Sequence, residues 1–123
     1  AAARWRLPGG PAAAAAARLL DAMAETNERT LAALVAEVFA PSLRERRSDA
    51  ELVQLVGRMR GDVGAGEVTR YEEARNAEGA VTAVRLRLTR DGRPPALVTL
   101  TLEPPARTGV VTRVAGIALE MGD

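Results

Sequence analysis

The 123 residues hold no histidine and no cysteine, and their 17 basic side chains, all arginine, meet 16 acids for a net charge of +1. Imidazole and thiolate chemistry are thereby excluded, as are zinc sites built on His or Cys and an overall basic field that would recruit nucleic acid. Apolar residues at 47% and charged residues at 27% describe one soluble globular domain, large enough for a single core. Much of the apolar count is alanine, including the run Ala12 to Ala17, and the only aromatics are Trp5, Phe39 and Tyr71. The core is therefore expected from Leu and Val. The uniform use of arginine reads as the codon bias of a GC-rich genome rather than a binding device.

Residues 1–10 read as an extended arm carrying Trp5 and Leu7, and residues 11–123 as a single domain. Pro11 suits the first turn of a helix, where its missing N–H is not needed. The first helix is expected from about Pro11 to Glu25, with Leu19, Leu20 and Met23 on its apolar side. Asn27 is a good cap for a second helix bearing the stripe Leu31, Leu34, Val35, Val38 and Phe39, which Pro41 ends. Ser48-Asp49-Ala50-Glu51 forms a capping box for a third helix, with Leu52, Leu55, Val56 and Met59 on one face. Gly61, Gly64 and Gly66 are expected to stop it.

From Glu67 the hydrophobic period falls to two. A first strand is expected at about 67–75, then a turn at Asn76-Ala77-Glu78-Gly79. A second strand at 80–89 puts Thr82, Val84, Leu86 and Leu88 on one face and Arg85, Arg87 and Thr89 on the other. Asp91-Gly92 is a turn signal. A third strand at 96–103 alternates Ala96, Val98, Leu100 and Leu102 against Thr99, Thr101 and Glu103. The fourth, 110–120, keeps its alternation only with a bulge near Ala115-Gly116; Val110, Thr112 and Val114 then face inward before it, and Ile117 and Leu119 after it. The expected class is α+β: three helices on the apolar face of a curved four-stranded antiparallel meander.

Two stretches carry a family likeness. One runs from Leu19-Leu20-Asp21-Ala22-Met23 through Asn27 to the helix ending Val38-Phe39-Ala40-Pro41. The other is the last strand, Arg113-Val114-Ala115-Gly116-Ile117-Ala118-Leu119. From Pro11 onward the chain resembles the nuclear transport factor 2-like superfamily, the cystatin-like cone shared with ketosteroid isomerase and polyketide cyclases. Within it, the chain looks like small bacterial domains that stand beside serine hydrolases or peptidases. The resemblance implies a cone-shaped pocket, here involving Phe39, Tyr71, Val84 and Thr112, and frequent dimerisation. Catalytic members use a buried carboxylate, a tyrosine or a His–Asp pair. No histidine is present, so no catalytic residue carries over.

Glu72-Glu73 is the only adjacent carboxylate pair, and Tyr71 precedes it. A buried glutamate there would suit proton transfer next to a carbonyl; a solvated strand acid is the plainer reading. The parities of Val68 and Tyr71 conflict, which leaves the facing of this strand open. Arg85, Arg87, Thr99 and Arg113 mark a polar sheet face with Leu97 and Val111 among them, the composition of a modest homodimer interface. Nucleic-acid sheets of the single-strand kind stack bases on aromatics, and this face has none. The glycines precede a strand and no GK[ST] follows, so they make no phosphate loop. Neither a metal site nor a cofactor is expected, and no apolar run approaches the ~20 residues of a membrane span.

The expected function is a non-catalytic binding or accessory domain that holds a small apolar ligand or a neighbouring protein domain. The alternatives are a cone-pocket isomerase or cyclase using Tyr71 with Glu72 or Glu73, and a self-associating structural domain. The chain opens at Ala1 without Met. That places it outside the cytoplasm if a leader has been removed, and in the cytoplasm otherwise.

Overall fold

The computed structural model describes residues 5–63, 66–106 and 111–121. Helix α1 (Pro11–Ala24) starts on Pro11 as expected. Helix α2 (Glu28–Val38) is capped by Asn27, whose Oδ1 accepts from the backbone of Arg29 (3.0 Å) and Thr30 (3.1 Å). Pro41 does not simply end a helix: α2 stops at Val38, and Pro41 opens the short helix α3 (Pro41–Arg46). Helix α4 (Asp49–Val63) begins with the capping box, in which Glu51 N donates to Ser48 Oγ and Ser48 N to Glu51 Oε1, both at 3.2 Å. It runs through Gly57 and Gly61, beyond the stop expected at Gly61. Four helices thus precede the sheet where three were expected.

Strands β1 (Glu67–Arg75), β2 (Val81–Arg90), β3 (Arg93–Ala106) and β4 (Arg113–Met121) form an antiparallel meander in the order β1-β2-β3-β4. The class is α+β, as the change of period indicated. Gly66 lies in close approach to the sheet: a Cβ there would lie 3.0 Å from Arg90 Cγ and 3.2 Å from Leu88 Cβ, tighter than ordinary contact. Gly92, at φ +70°, lets the Asp91-Gly92 turn close. Ala96, Val98, Leu100 and Leu102 of β3 are all buried, as are Val84, Leu86 and Leu88 of β2. Thr82 departs from its expected inward position. The register slips between Val81 and Ala83, so Val81 is buried and Thr82 is half-exposed. The expected bulge in β4 is present. Thr101 pairs with Gly116 and Leu102 with Val114, leaving Ala115 as the extra residue. Val110 lies outside the described residues.

The element laid against β2 and β3 is α1, while α2 and α3 reach β4, and α4 packs on α1 and α2. Helix α1 is therefore covered on several sides. Its Ala12, Ala13, Ala15, Ala16, Ala17 and Ala22 are each at most 2% exposed. Alanine presents little bulk, so helix and sheet approach closely where leucine would hold them apart. The expectation of a core built from Leu and Val alone is corrected in this respect.

Phe39 caps α2 in extended conformation, forms a parallel bridge with Val114 and is fully buried. Ala40 N donates to Val114 O at 2.8 Å, so this segment covers the start of the edge strand β4. Trp5 and Leu7, ahead of α1, are tied to the rest of the fold. Trp5 Nε1 donates to Asp21 Oδ1 at 2.8 Å, and Leu7 is buried in the core.

Two substitutions probe this packing in opposite directions. Phe39→Ala empties a filled site and should cost about 3–5 kcal/mol. Ala16→Leu adds apolar surface yet should also destabilise, by about 1–3 kcal/mol, because the site has no room. Urea unfolding of both variants checks this; an Ala16→Leu protein as stable as the parent would mean α1 is not sandwiched.

Candidate functional site

The facing of β1 decides where its polar residues go. Val68 pairs with Leu88 and Arg70 with Arg87, so Thr69 is an extra residue in the strand. This bulge reconciles the two parities. Tyr71 lies opposite Leu86 and Glu73 opposite Val84, and residues directly opposite share a face. Val68, Tyr71 and Glu73 therefore turn toward the helices, and Arg70 and Glu72 turn away. Glu72 is exposed and sits 3.7 Å from Arg70 in an ion pair.

Tyr71 and Glu73 belong to a chain of hydrogen bonds. Tyr71 Oη donates to Glu73 Oε2 at 2.6 Å, and Arg75 donates to Glu73 Oε1 at 2.7 Å and to Gly79 O at 2.8 Å. Both carboxylate oxygens of Glu73 are thus engaged. Burial first, and then the bond to Glu73, push the Tyr71 phenol well above its usual value. Tyr71 is therefore a hydrogen-bond donor at neutral pH and not a base. This row borders a cavity of about 530 Å³ at one end of the sheet, where the β1–β2 hairpin meets the start of α1. Gly10, Pro11 and Ala12 line one wall, with Glu73, Arg75 and Gly79 opposite. The hairpin is held by Asn76, whose Oδ1 accepts from Glu78 N and Ala80 N, each at 3.0 Å.

The other expected pocket residues lie elsewhere. Phe39, Val84 and Thr112 are all 0% exposed, and none of them lines this cavity. Tyr71 is on the edge strand β1, level with Leu119 across the sheet, while Thr112 just precedes the opposite edge strand β4 at its other end. Thr112 O accepts from Arg18 Nη2 at 2.7 Å, while the Thr112 hydroxyl is buried without a hydrogen-bond partner.

A second concavity, of about 350 Å³, opens on the outer sheet face. It brings together Arg85, Arg87, Leu97 and Thr99 of the expected interface, and adds Arg70, Glu72 and Glu120, which sequence reading had not placed there. Their cross-strand register was the missing signal. Arg113 and Val111 are not part of it. Arg113 pairs with Glu103 and Leu97 with Glu120, seven positions apart on β4, or roughly 23 Å. Arg113 instead donates to Glu37 O at 3.2 Å, and Val111 is 64% exposed at the far end.

Among the described residues no group of three or more acids could hold a metal ion, and no helix is long and apolar enough to cross a membrane. No family model matches this chain, and no curated protein or solved structure matches it.

The single tyrosine gives a direct check on the Tyr71–Glu73 bond. A folded-state value raised above the unfolded one stabilises the protein below pH ~10 and loses that contribution as pH rises through the folded value. Absorbance titration should show no tyrosinate at pH ~10, where a free phenol is half ionised. Glu73→Ala should bring the transition down. A parent protein that titrates like free tyrosine would show that the bond does not persist in solution.

Proposed function

We propose that this chain is a non-catalytic accessory domain that docks on another protein domain. The reading rests on one observation above all: α1 packs directly on β2 and β3, and its Ala12, Ala13, Ala15, Ala16, Ala17 and Ala22 are buried. Of Phe39, Tyr71, Val84 and Thr112, the positions at which the resemblance to the nuclear transport factor 2-like superfamily implies a cone pocket, all but the half-buried Tyr71 are fully buried. Neither cavity described above is lined by Phe39, Val84 or Thr112; the one on the helix side, about 530 Å³, lies at the hairpin end and is bounded by Glu73 and Arg75.

The chemistry argues the same way. An isomerase of this architecture needs a carboxylate whose lone pairs are open to the substrate. Glu73 already receives a phenol and a guanidinium. Glu72 is on the opposite sheet face, in solvent. The cavity between the hairpin and α1 is open and mixed in polarity, with backbone on one wall and Glu73 and Arg75 on the other. Such a lining suits a polypeptide segment, whose own amides can be hydrogen-bonded there, better than an apolar small molecule.

Two measurements test the reading. A hydrophobic dye and a steroid enone should show no saturable binding below about 100 µM, and no enone isomerisation above the buffer rate. Thr112→Val removes an unpartnered buried hydroxyl, so the variant should be as stable as the parent or more so, by up to about 1 kcal/mol. Micromolar ligand binding that Thr112→Val abolishes would transfer the function to the interior and end the accessory reading.

A further inference from the structure

The outer sheet face carries a cationic centre that its own acids leave unbalanced. Cross-strand pairing lays the residues in two rows. One row runs Glu72, Arg85, Thr99, Ala118 and the next runs Arg70, Arg87, Leu97, Glu120. Members of a row point to the same side. The concavity of about 350 Å³ that spans both rows sets Arg70, Arg85 and Arg87 against Glu72 and Glu120. Glu72 lies opposite Arg85 but pairs with Arg70 on its own strand, at 3.7 Å. Glu120 is two strands away from Arg87, with Leu97 between them, roughly 10 Å across. Arg85 and Arg87 are thus neighbours on one face of β2, roughly 7 Å apart along the strand. Among the described residues Arg85 makes no hydrogen bond or ion pair, and neither does the hydroxyl of Thr99 opposite it.

From this placement we propose that the concavity binds a small phosphomonoester, its phosphate held between Arg85 and Arg87 and its organic body laid over Leu97. The donors match that group. Arg85, Arg87 and the Thr99 hydroxyl offer three donor groups, and a monoester presents three strong acceptor oxygens. The planar guanidinium is well suited to phosphate. Two like charges side by side repel, and an anion between them replaces that repulsion with attraction. Leu97 pairs directly with Arg87 and is half-buried, so it gives an apolar floor beside the phosphate position.

Other anions fit less well. A carboxylate brings two oxygens to three donors, and a phosphodiester brings two with a single charge. A nucleic-acid strand would also need stacking aromatics, which this face lacks. The concavity is at the lower end of the ≈ 300–1,000 Å³ that small-molecule sites occupy, so the ligand is compact. Glu72, opposite Arg85, opposes an incoming anion, so the site is weak by construction and removal of that charge strengthens it.

The site lies on the sheet face away from α1, so it stands or falls separately from the accessory role. Calorimetric titration at a constant ionic strength of ~0.1 M should show saturable binding of phenyl phosphate with Kd below ~1 mM. Inorganic phosphate, which lacks the apolar body, and benzoate, which lacks the third oxygen, should each bind roughly tenfold more weakly. Diphenyl phosphate should not saturate. Arg85→Gln should weaken phenyl phosphate roughly tenfold or more, and Glu72→Gln should tighten it. Leu97→Ala should weaken phenyl phosphate and leave inorganic phosphate unchanged, and Arg46→Gln on α3 should change neither. Arg85 is exposed, so its replacement should leave the fold intact, which circular dichroism confirms. Absence of saturation by ~10 mM phenyl phosphate would overturn the proposal, as would an affinity that Arg85→Gln leaves unchanged. Benzoate binding as tightly as phenyl phosphate would overturn the assignment to a phosphate group.

Discussion

Everything in this domain depends on how closely α1 can approach the sheet. The helix lies over β2 and β3 and is covered in turn by α2 and α4. A helix enclosed on several sides must be apolar nearly all round, and small where its neighbours press hardest. Six alanines at or near zero exposure meet that demand, while Leu19, Leu20 and Met23 fill the wider gaps. Alanine also loses no side-chain entropy on burial, so a helix rich in it orders at low cost.

A helix sunk this deeply needs its ends satisfied from elsewhere, and arginine does much of that work. Arg60 of α4 reaches back to donate to Met23 O and Glu25 O, closing the C-terminal end of α1. Arg18 leaves the helix to bond Thr112 O, which anchors the chain entering β4. Burial first, and then nearby Arg113, lower the Arg18 guanidinium from its usual value. Arg113 bonds Glu37 O at the end of α2. Each of these long side chains ties helix to helix or helix to strand through a backbone carbonyl. An all-arginine composition that reads as codon bias thus still performs specific structural work at individual positions.

Strand β1 divides its polar residues between the two sides. Tyr71, Glu73 and Arg75 close on one another beside the cavity at the start of α1, and Arg70 and Glu72 join the outer face. One inserted residue, Thr69, produces that division. Without it, Val68 and Tyr71 would have opposite parity and could not both face the helices.

The sequence alone determined the elements and their class. Asn27 and the Ser48–Glu51 box are visible because capping is local chemistry, and the strand alternation of β2 and β3 is visible because burial on one face imposes a period of two. The Ala115 bulge was legible for the same reason: alternation cannot be kept without it. What only tertiary structure decided is which surfaces meet. Alanine carries no preference strong enough to reveal that α1, rather than the Phe39 stripe, lies at the centre of the sheet. Short helix α3 has no periodic stripe to betray it. The rows joining Arg70 to Glu120 depend on cross-strand register between segments up to fifty residues apart. That register is set by bulges and turns acting together, and no single stretch of chain contains it.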